Sequence, residues 1–200
     1  MPKPVALALT GASGMPYGLR LLECLLAAGE KVQLMISPPA QIVIAMETDL
    51  KVPAPARDAA RFLTAHYGAR EGQLEVYSKD QWTAPVASGS GAPRAMVVCP
   101  CTGGTLAAIA SGTSDSLLER AADVVIKEQR KLILVPREMP LSAIHLEHML
   151  KLARLGVVIM PACPGFYHRP TDINGLIDFV VARVLDHLDV EHTLLPRWGE

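Results

Sequence analysis

Short runs of apolar residues recur along the chain, and each run is long enough for one β-strand. The runs are nearly continuous rather than alternating, which is typical of parallel strands covered by helices on both faces. Segments with helical periodicity separate them, and two of these segments close at Gly29 and Gly156. This alternation predicts an α/β fold, a single-domain doubly wound parallel sheet in a Rossmann or flavodoxin-like three-layer sandwich. The predicted strands are residues 5–9, 32–36, 95–99, 132–135 and 157–160, and the predicted helices are residues 17–28, 38–47, 117–129, 141–155 and 172–188.

Four further segments have weaker patterns. Residues 57–67 predict a surface helix, and residues 73–77 predict an added strand at the edge of the sheet. Residues 83–93 are rich in Ala, Ser, Gly and Pro, and we interpret them as a functional lid rather than a linker. Residues 189–200 are expected to form a C-terminal tail that packs on a neighbouring subunit.

The composition narrows the class of protein. Two hundred residues, 50% of them hydrophobic, with a mean hydropathy of +0.26, predict one domain over residues 1–200 and a homo-oligomer. Nineteen basic and 20 acidic residues give a net charge of -1 without a basic run, so we expect no nucleic-acid partner. No apolar run suits a membrane span or a signal peptide, so we expect a cytoplasmic protein without membrane contact.

The cysteines and histidines carry weaker signals. The four cysteines form no Cys-x-x-Cys pair, and Cys99 and Cys101 end an apolar run. We interpret them as buried thiols, with catalytic pairing to a histidine as the alternative. His145 and His148 stand three residues apart on a predicted helix, where a surface or interface pair is favoured over a metal site because no third ligand is apparent.

Two glycine-containing turns follow central strands. The first, TGASG at residues 10–14, opens a helix where backbone N–H groups favour an anion, although a purely structural turn has the same pattern. Gly18 is expected to let that helix pack closely on the sheet. The spacing is not Gly-x-Gly-x-x-Gly and the second strand ends without an acidic residue, which favours a mononucleotide over NAD. The second turn, PCTGGT at residues 100–105, also opens a helix, so both turns should flank one crevice.

Ten short words in the same order resemble the flavin prenyltransferases, the UbiX-like family, from Leu7 to Trp198 without a large gap. That many ordered matches make the resemblance specific. The words are TGASG (10–14), ETD (47–49), ASGS (87–90), VCPC (98–101), ERAAD (119–123), LVPRE (134–138), HLE (145–147), MLK (149–151), PGFY (164–167) and LPRW (195–198).

The resemblance implies that reduced FMN is the substrate to be modified. Dimethylallyl monophosphate would supply a prenyl group bonded to N5 and C6, and a UbiD-like decarboxylase would receive the prenylated FMN. It also suggests that the homo-oligomer is a dodecamer. The residues implied to bind FMN are Gly11, Ala12, Ser13, Ser37, Thr102, Gly103, Gly104, Thr105 and Arg137. Those implied to be catalytic are Ser13, Glu47, Lys127, Glu138 and Trp198. Those implied to bind the prenyl phosphate are Ser88, Ser90, Lys127, Arg137, Glu138, Tyr167 and Arg183.

The basic residues suit this chemistry. Ionising an allylic phosphate requires positive donors on the departing oxygens, which Lys127, Arg137 and Arg183 can supply together with the Tyr167 hydroxyl. Each alone could equally be a solvated surface charge. The chain has no Asp-Asp pair of the kind that binds magnesium and pyrophosphate, which favours a monophosphate donor and no metal.

Other residues have two interpretations. The aromatic faces of Trp198 and Trp82 could stabilise an allylic cation. The alternative is that these tryptophans are core or interface residues. The resemblance implies that Ser13 and Glu47 assist proton movement near N5 and that Glu138 orients the cations. Ser37 could bind FMN or only cap a helix.

One departure from the family pattern and two alternative functions remain. Gly103 stands where relatives commonly carry a hydroxyl residue, so FMN contacts there would shift toward the backbone.

A flavin-dependent decarboxylase of peptidyl or pantothenoyl cysteine is an alternative function that could use Cys163 and His168, but the chain lacks the sequence PASANT. A non-catalytic FMN carrier would leave the basic residues without a role.

Overall fold

In the computed structural model, which describes residues 3–196 and 199, one parallel sheet of six strands forms the middle layer. The strand order is β3-β2-β1-β4-β5-β6, so the order reverses between the central strands β1 and β4. This is the doubly wound sheet that the sequence predicts. The strands are β1 (Val5–Leu9), β2 (Val32–Ile36), β3 (Leu74–Tyr77), β4 (Ala95–Cys101), β5 (Lys131–Pro136) and β6 (Val158–Ile159). The helices are α1 (Met15–Ala27), α2 (Pro38–Glu47), α3 (Ala56–Tyr67), α4 (Gly103–Ser111), α5 (Leu117–Lys127), α6 (Ala143–Arg154) and α7 (Ile173–His187).

Each face of the sheet has its own apolar core. Val5, Leu7 and Leu9 of β1 point into a core shared with α1, α2, α3 and α7. Ala6 and Ala8 point into the opposite core, which α4, α5 and α6 complete. Every residue of β1 is fully buried, because helices cover both faces, and this explains why its sequence is apolar throughout.

Most helix starts are fixed by a local side chain. In each of five helices the residue before the first turn accepts a hydrogen bond from the backbone N–H three residues later, which satisfies a donor that the helix leaves free. Four of these helices directly follow a strand, and the N–H of Leu117 at the head of α5 donates to the carbonyl oxygen of Lys79 just beyond β3. Five helix N-termini therefore lie along the carboxyl edge of the sheet. The capping residues are Ser37, Thr102, Ser116, Ser142 and Asp172.

Gly18 has the packing role that its position predicts. A Cβ on this residue of α1 would overlap the backbone carbonyl oxygen of Cys99 in β4 and the side chain of Leu9. The absence of a side chain thus lets α1 lie directly against the two central strands, which positions the turn before it.

The segment interpreted as a lid is ordered in two short 3₁₀ turns, Pro85–Ala87 and Gly89–Gly91. Val86, the middle residue of the first of these turns, is fully buried, so the segment is anchored in the core. Elsewhere, β4 continues two residues beyond its predicted end, and α5 ends at Lys127, two residues before its predicted end. Among the described residues, no helix combines the length and apolar character needed to cross a lipid bilayer.

Candidate functional site

Thr10 joins the two glycine-containing turns at the carboxyl edge. Its hydroxyl donates to the carbonyl oxygen of Pro100 at 2.7 Å and accepts from the N–H of Thr102 at 2.9 Å. Its side chain is buried between the strand ends, where both bonds are shielded from water. The turns at residues 10–14 and 100–105 therefore flank one place in the fold, as their positions after β1 and β4 predict.

The N-terminus of α1 is occupied by a side chain of the protein itself. One carboxylate oxygen of Glu47, Oε2, accepts from the N–H groups of Gly14 and Met15 at 2.9 and 2.8 Å. Arg137 lies beside it and donates from Nε to the carbonyl oxygen of Ser13 at 3.2 Å. The structure thus brings together Ser13, Glu47 and Arg137, and it shows that the N–H donors of Gly14 and Met15 already bind a carboxylate. The binding of FMN by Gly11, Ala12 and Ser13 stays a prediction.

The surroundings of Glu47 keep it ionised. Burial alone would raise the pKa of its carboxyl group, but this is outweighed by hydrogen bonds from the Ser13 hydroxyl and the N–H groups of Gly14 and Met15, and by the charge of Arg137. The net result is a pKa below the usual value for glutamate. A fixed carboxylate bonded to a serine hydroxyl can accept or relay a proton at the edge of the crevice.

Gly11 and Ala12, the other predicted residues of the first turn, make contacts that fix the shape of the turn. A Cβ on Gly11 would overlap the side chain of Pro39 at the head of α2, so this close approach requires glycine. The N–H of Ala12 donates to the carbonyl oxygen of Thr10, which tightens the turn.

A cavity of about 370 Å³ at the carboxyl edge suits a phosphate group. It is lined by Ser37, Thr105 and Ser116 from the first turns or caps of α2, α4 and α5, together with Lys79 and Tyr77. The helix N-termini and the lysine favour an anion in this space, whereas the carboxylate of Glu119, which also lines the cavity, opposes one. Because α2 begins with two prolines, which lack N–H groups, the backbone donors must come from α4 and α5. The cavity is therefore a candidate site for an anionic group.

Lys79 and Ser116 were not predicted from the sequence as site residues. Ser116 could have been found as the helix cap of an S-x-x-E pattern, whereas nothing local marks Lys79. The hydroxyl of Ser37 caps α2 at Ala40, and Ser37 also lines the cavity, while its binding of FMN stays a prediction. Thr102 likewise caps α4, and its hydroxyl is bonded to both the N–H and the hydroxyl of Thr105.

A second group of predicted residues lies around the 3₁₀ turns. The hydroxyls of Ser88 and Ser90 are 3.3 Å apart. Nζ of Lys127 lies 3.2 Å from the position that a Cβ on Gly89 would occupy. The same Nζ pairs with the carboxylate of the exposed Glu128 at 2.6 Å. Arg120, two turns earlier on α5, donates from Nε to the carbonyl oxygen of Ala87 at 3.1 Å. Arg120, which was not predicted, thus holds this serine-containing segment against α5.

A third group lines a cavity of about 770 Å³ beside α7. Tyr167 and Arg183 both lie there, and the described tail residues Leu195 and Pro196 line the same cavity. Arg183 pairs with Asp186 at 2.6 Å, and the other oxygen of that carboxylate contacts Nε2 of His192 at 3.1 Å. The tail therefore borders Arg183 of its own chain, while its packing on a neighbouring subunit stays a prediction.

The three predicted cations do not converge within one chain. Lys127 ends α5, four residues before the first residue of β5, whereas Arg137 follows the last. Six residues of strand separate these ends by about 20 Å. Arg183 lies with Tyr167 in the third group. The expectation of one crevice in which all three cations meet is therefore not met by a single chain.

The other predicted residues are scattered. Glu138 is exposed beside Arg137, and its carboxylate accepts from the N–H of Met139 at 3.2 Å. Trp82 is 47% exposed, and Trp198 lies outside the described residues. Gly103 and Gly104 form the first turn of α4.

The cysteines and acidic side chains give no sign of another centre. Burial raises the pKa of the Cys99 and Cys101 thiols, as expected for inert thiols at a strand end. All four cysteines are free. Over residues 3–196 and 199, no group of three or more His, Cys, Asp or Glu side chains is arranged to hold a metal ion.

Comparisons with known proteins agree with this fold and these turns. Residues 1–185 match the model of the Flavoprotein family. The chain is 55% identical to the flavin prenyltransferase UbiX of Pseudomonas aeruginosa over 199 residues, covering 100% of this chain and 95% of the relative. A crystal structure of a UbiX protein with FMN and dimethylallyl pyrophosphate superposes with a TM-score of 0.89 at 38% identity, covering 100% and 99% of the two chains.

A second solved structure bears on assembly. It is a dodecameric FMN-dependent UbiX-like decarboxylase from Escherichia coli O157:H7, with a TM-score of 0.85 at 40% identity and coverage of 98% of this chain and 99% of that one. The match to the Flavoprotein model and the identity over the full length together establish the relationship. The chain therefore belongs to the flavin prenyltransferase (UbiX) family of flavoproteins.

Proposed function

We propose that this protein transfers a dimethylallyl group from dimethylallyl monophosphate to N5 and C6 of reduced FMN. The reaction breaks the C–O bond of the donor, whose electron pair leaves with the phosphate, while N5 bonds to the freed carbon and releases its proton. The prenyl double bond then takes up a proton, and its cationic carbon bonds to C6, which releases a proton in turn. The observation that carries the proposal is the presence of two separate kinds of anion site. One cavity, with Lys79 and helix N-termini, is proposed for the FMN phosphate, and the half-exposed cations Lys127 and Arg183, which pair with Glu128 and Asp186 in this structure, are proposed for a second phosphate.

In this proposal FMN is held by both glycine-containing turns and by Arg137, which already bridges to the first turn through Ser13. Ser37 and Thr105 take part from the cavity that they line. Ser13 and Glu47 take up the proton that N5 releases, since the carboxylate is ionised and bonded to the serine hydroxyl.

The prenyl phosphate requires cations from different subunits. Because Lys127 and Arg137 lie at opposite ends of β5, they can bind one phosphate only if two copies of the chain contribute. We place Lys127 with Ser88 and Ser90 of one subunit, Arg137 and Glu138 of another, and Tyr167 with Arg183 of a third around each donor, with Trp198 facing the allylic carbon. The comparison with a dodecameric relative supports an assembly of twelve subunits.

The exposed apolar residues support such an assembly. Large apolar side chains remain at the surface on α6, in the segments that flank it and between β6 and the start of α7, where a solitary subunit would expose them to water. In an oligomer they would be covered by neighbouring chains. They are Met139, Leu141, Ile144, Leu146, Leu150, Leu155, Phe166 and Ile173.

The deciding experiment is anaerobic incubation of the protein with reduced FMN and dimethylallyl monophosphate, followed by mass spectrometry of the flavin. A flavin that gains the mass of one prenyl group supports the transferase. An unmodified flavin would favour a cysteine decarboxylase or a non-catalytic FMN carrier. A parallel incubation with dimethylallyl pyrophosphate, the compound bound in the related crystal structure, identifies the donor.

The subunit-shared site has its own test. Lys127→Ala and Arg137→Ala should each abolish transfer, whereas co-expressed mixed oligomers should regain part of it, because some sites then receive both intact cations. Mixed oligomers without activity would contradict the sharing of one site between subunits.

We also propose that the protein is cytoplasmic, which its four free cysteines support, and that a UbiD-like decarboxylase receives the product.

A further inference from the structure

His145 of α6 lies against the first turn of α4. The place where a Cβ would stand on Gly103 is 3.0 Å from Nε2 of this imidazole. A side chain at residue 103 would therefore compete with the ring for the same space. In this chain, the missing side chain at position 103 leaves room for the close imidazole.

The hydrogen bonds of α6 fix which ring nitrogen carries the proton. The backbone N–H of Ser142 donates to Nδ1 of His145 at 3.2 Å, and the Ser142 hydroxyl accepts from the N–H of His145 at 3.2 Å. A neutral imidazole that accepts at Nδ1 carries its proton at Nε2. The capping box of α6 therefore aims an N–H donor at the head of α4.

That donor has no acceptor within the described part of the chain, whereas the hydroxyl of Thr102 is fully committed to Thr105. The side chain of His145 is half-buried, so its Nε2 keeps access to a bound molecule. A polar donor held in place beside a helix N-terminus, without a protein partner, is suited to an oxygen atom of a ligand.

We propose that His145 is an FMN-positioning residue, whose Nε2–H donates to the FMN held at the first turn of α4, in the place of the hydroxyl that residue 103 lacks. This inference rests on the proposed function, because it presupposes that α4 helps to bind FMN. It assigns to α6 a role in flavin binding besides its packing against α4.

The test is a titration of oxidised FMN into the full-length protein, followed by quenching of flavin fluorescence, which requires no turnover. His145→Ala should weaken FMN binding about tenfold, as expected for the loss of one hydrogen bond. His145→Phe, which keeps a ring but removes the donor, should weaken it to a similar degree. Unchanged affinity in both variants would overturn the proposal.

Ser142→Ala is the matched control. It removes the hydroxyl that caps α6 but keeps the backbone N–H that holds Nδ1, so FMN affinity should stay within about twofold. Equal weakening in Ser142→Ala and His145→Ala would mean that the imidazole acts only through the cap, which overturns the proposal.

A second pair of variants tests the shared space. Gly103→Thr alone should weaken FMN binding, because its Cβ crowds the imidazole, whereas Gly103→Thr in the His145→Ala background should recover affinity through the new hydroxyl. Additive losses would contradict the arrangement. If the wild-type protein binds no FMN, the proposed function itself is overturned. If the wild-type protein binds and prenylates FMN and the His145 variants bind FMN equally well, only this inference is overturned.

Discussion

The carboxylate of Glu47, at the end of α2, accepts a hydrogen bond of 2.8 Å from the backbone N–H of Met15, at the start of α1. Two residues 32 positions apart in the sequence are thereby joined at the edge of the crevice. The same oxygen binds the N–H of Gly14, so the carboxylate takes the place that an external anion would have at this helix.

Glu47→Gln should lower the free energy of unfolding by about 1 kcal/mol at pH 7, because the helix N-terminus loses its anion. The folded protein lowers the pKa of Glu47, so this stabilisation is present above about pH 4.5 and is lost as the pH falls through the lowered value. The difference between wild type and variant in urea unfolding should therefore shrink as the pH is lowered below about 4.5.

Glu71→Gln, at an exposed carboxylate before β3, is the control and should leave stability unchanged at both pH values. A difference between wild type and Glu47→Gln that grows in acid would contradict the assigned role of the carboxylate.

Lys127→Ala and Arg183→Ala should each reduce prenyl transfer by about 100-fold or more, because a donor to the departing phosphate is lost. FMN affinity should stay within about twofold in both variants, since neither side chain lines the cavity that suits the FMN phosphate. Product mass and flavin fluorescence measure the two effects separately. Arg61→Ala, at a highly exposed arginine on α3, serves as the control. Loss of flavin binding with unimpaired turnover would refute this division of roles.

Deletion of residues 196–200 should slow turnover with little effect on FMN affinity, because Trp198 is proposed to face the allylic carbon. Single-turnover rates of transfer measure the effect, and Trp198→Phe, which keeps an aromatic face, should lose less. An unchanged rate in the deletion variant would remove Trp198 from the mechanism.

Gly18→Ala should destabilise the fold by about 3 kcal/mol, because the added methyl group would overlap the carbonyl oxygen of Cys99. For a chain of this length the melting temperature should fall by about 6–12 °C. Gly104→Ala is the contrasting variant, since its nearest neighbour, the Thr102 hydroxyl, is 3.9 Å away, and its melting temperature should not fall. Equal losses in the two variants would contradict the packing argument.

A metal chelator should leave prenyl transfer unchanged, because the basic side chains and the Tyr167 hydroxyl are proposed to stabilise the departing phosphate without a cation. The measurement is the rate of product formation with and without the chelator, and with added magnesium. A strict requirement for magnesium would contradict this part of the mechanism.

The sheet and most helices could be predicted from the sequence because each strand is a separate apolar run and most helices begin at a capping side chain. The packing between elements distant in the sequence could not be predicted in this way. The bond from Glu47 to Met15 and the approach of Lys79 to Ser37 depend on how α1, α2 and β3 come together, which no local pattern encodes. By contrast, the separation of Lys127 from Arg137 follows from chain order alone, since one residue precedes β5 and the other follows it.

That separation links the chemistry to protein concentration. A single subunit contains the sheet, both apolar cores and the turns proposed to bind flavin, yet Lys127 and Arg137 lie at opposite ends of its β5 and cannot meet at the second phosphate. On the proposed assembly, dilution below the dissociation constant of the subunits would abolish transfer in a protein that still folds and still binds flavin. Specific activity would then rise with enzyme concentration, and the subunit contacts would belong to the catalyst as much as any side chain.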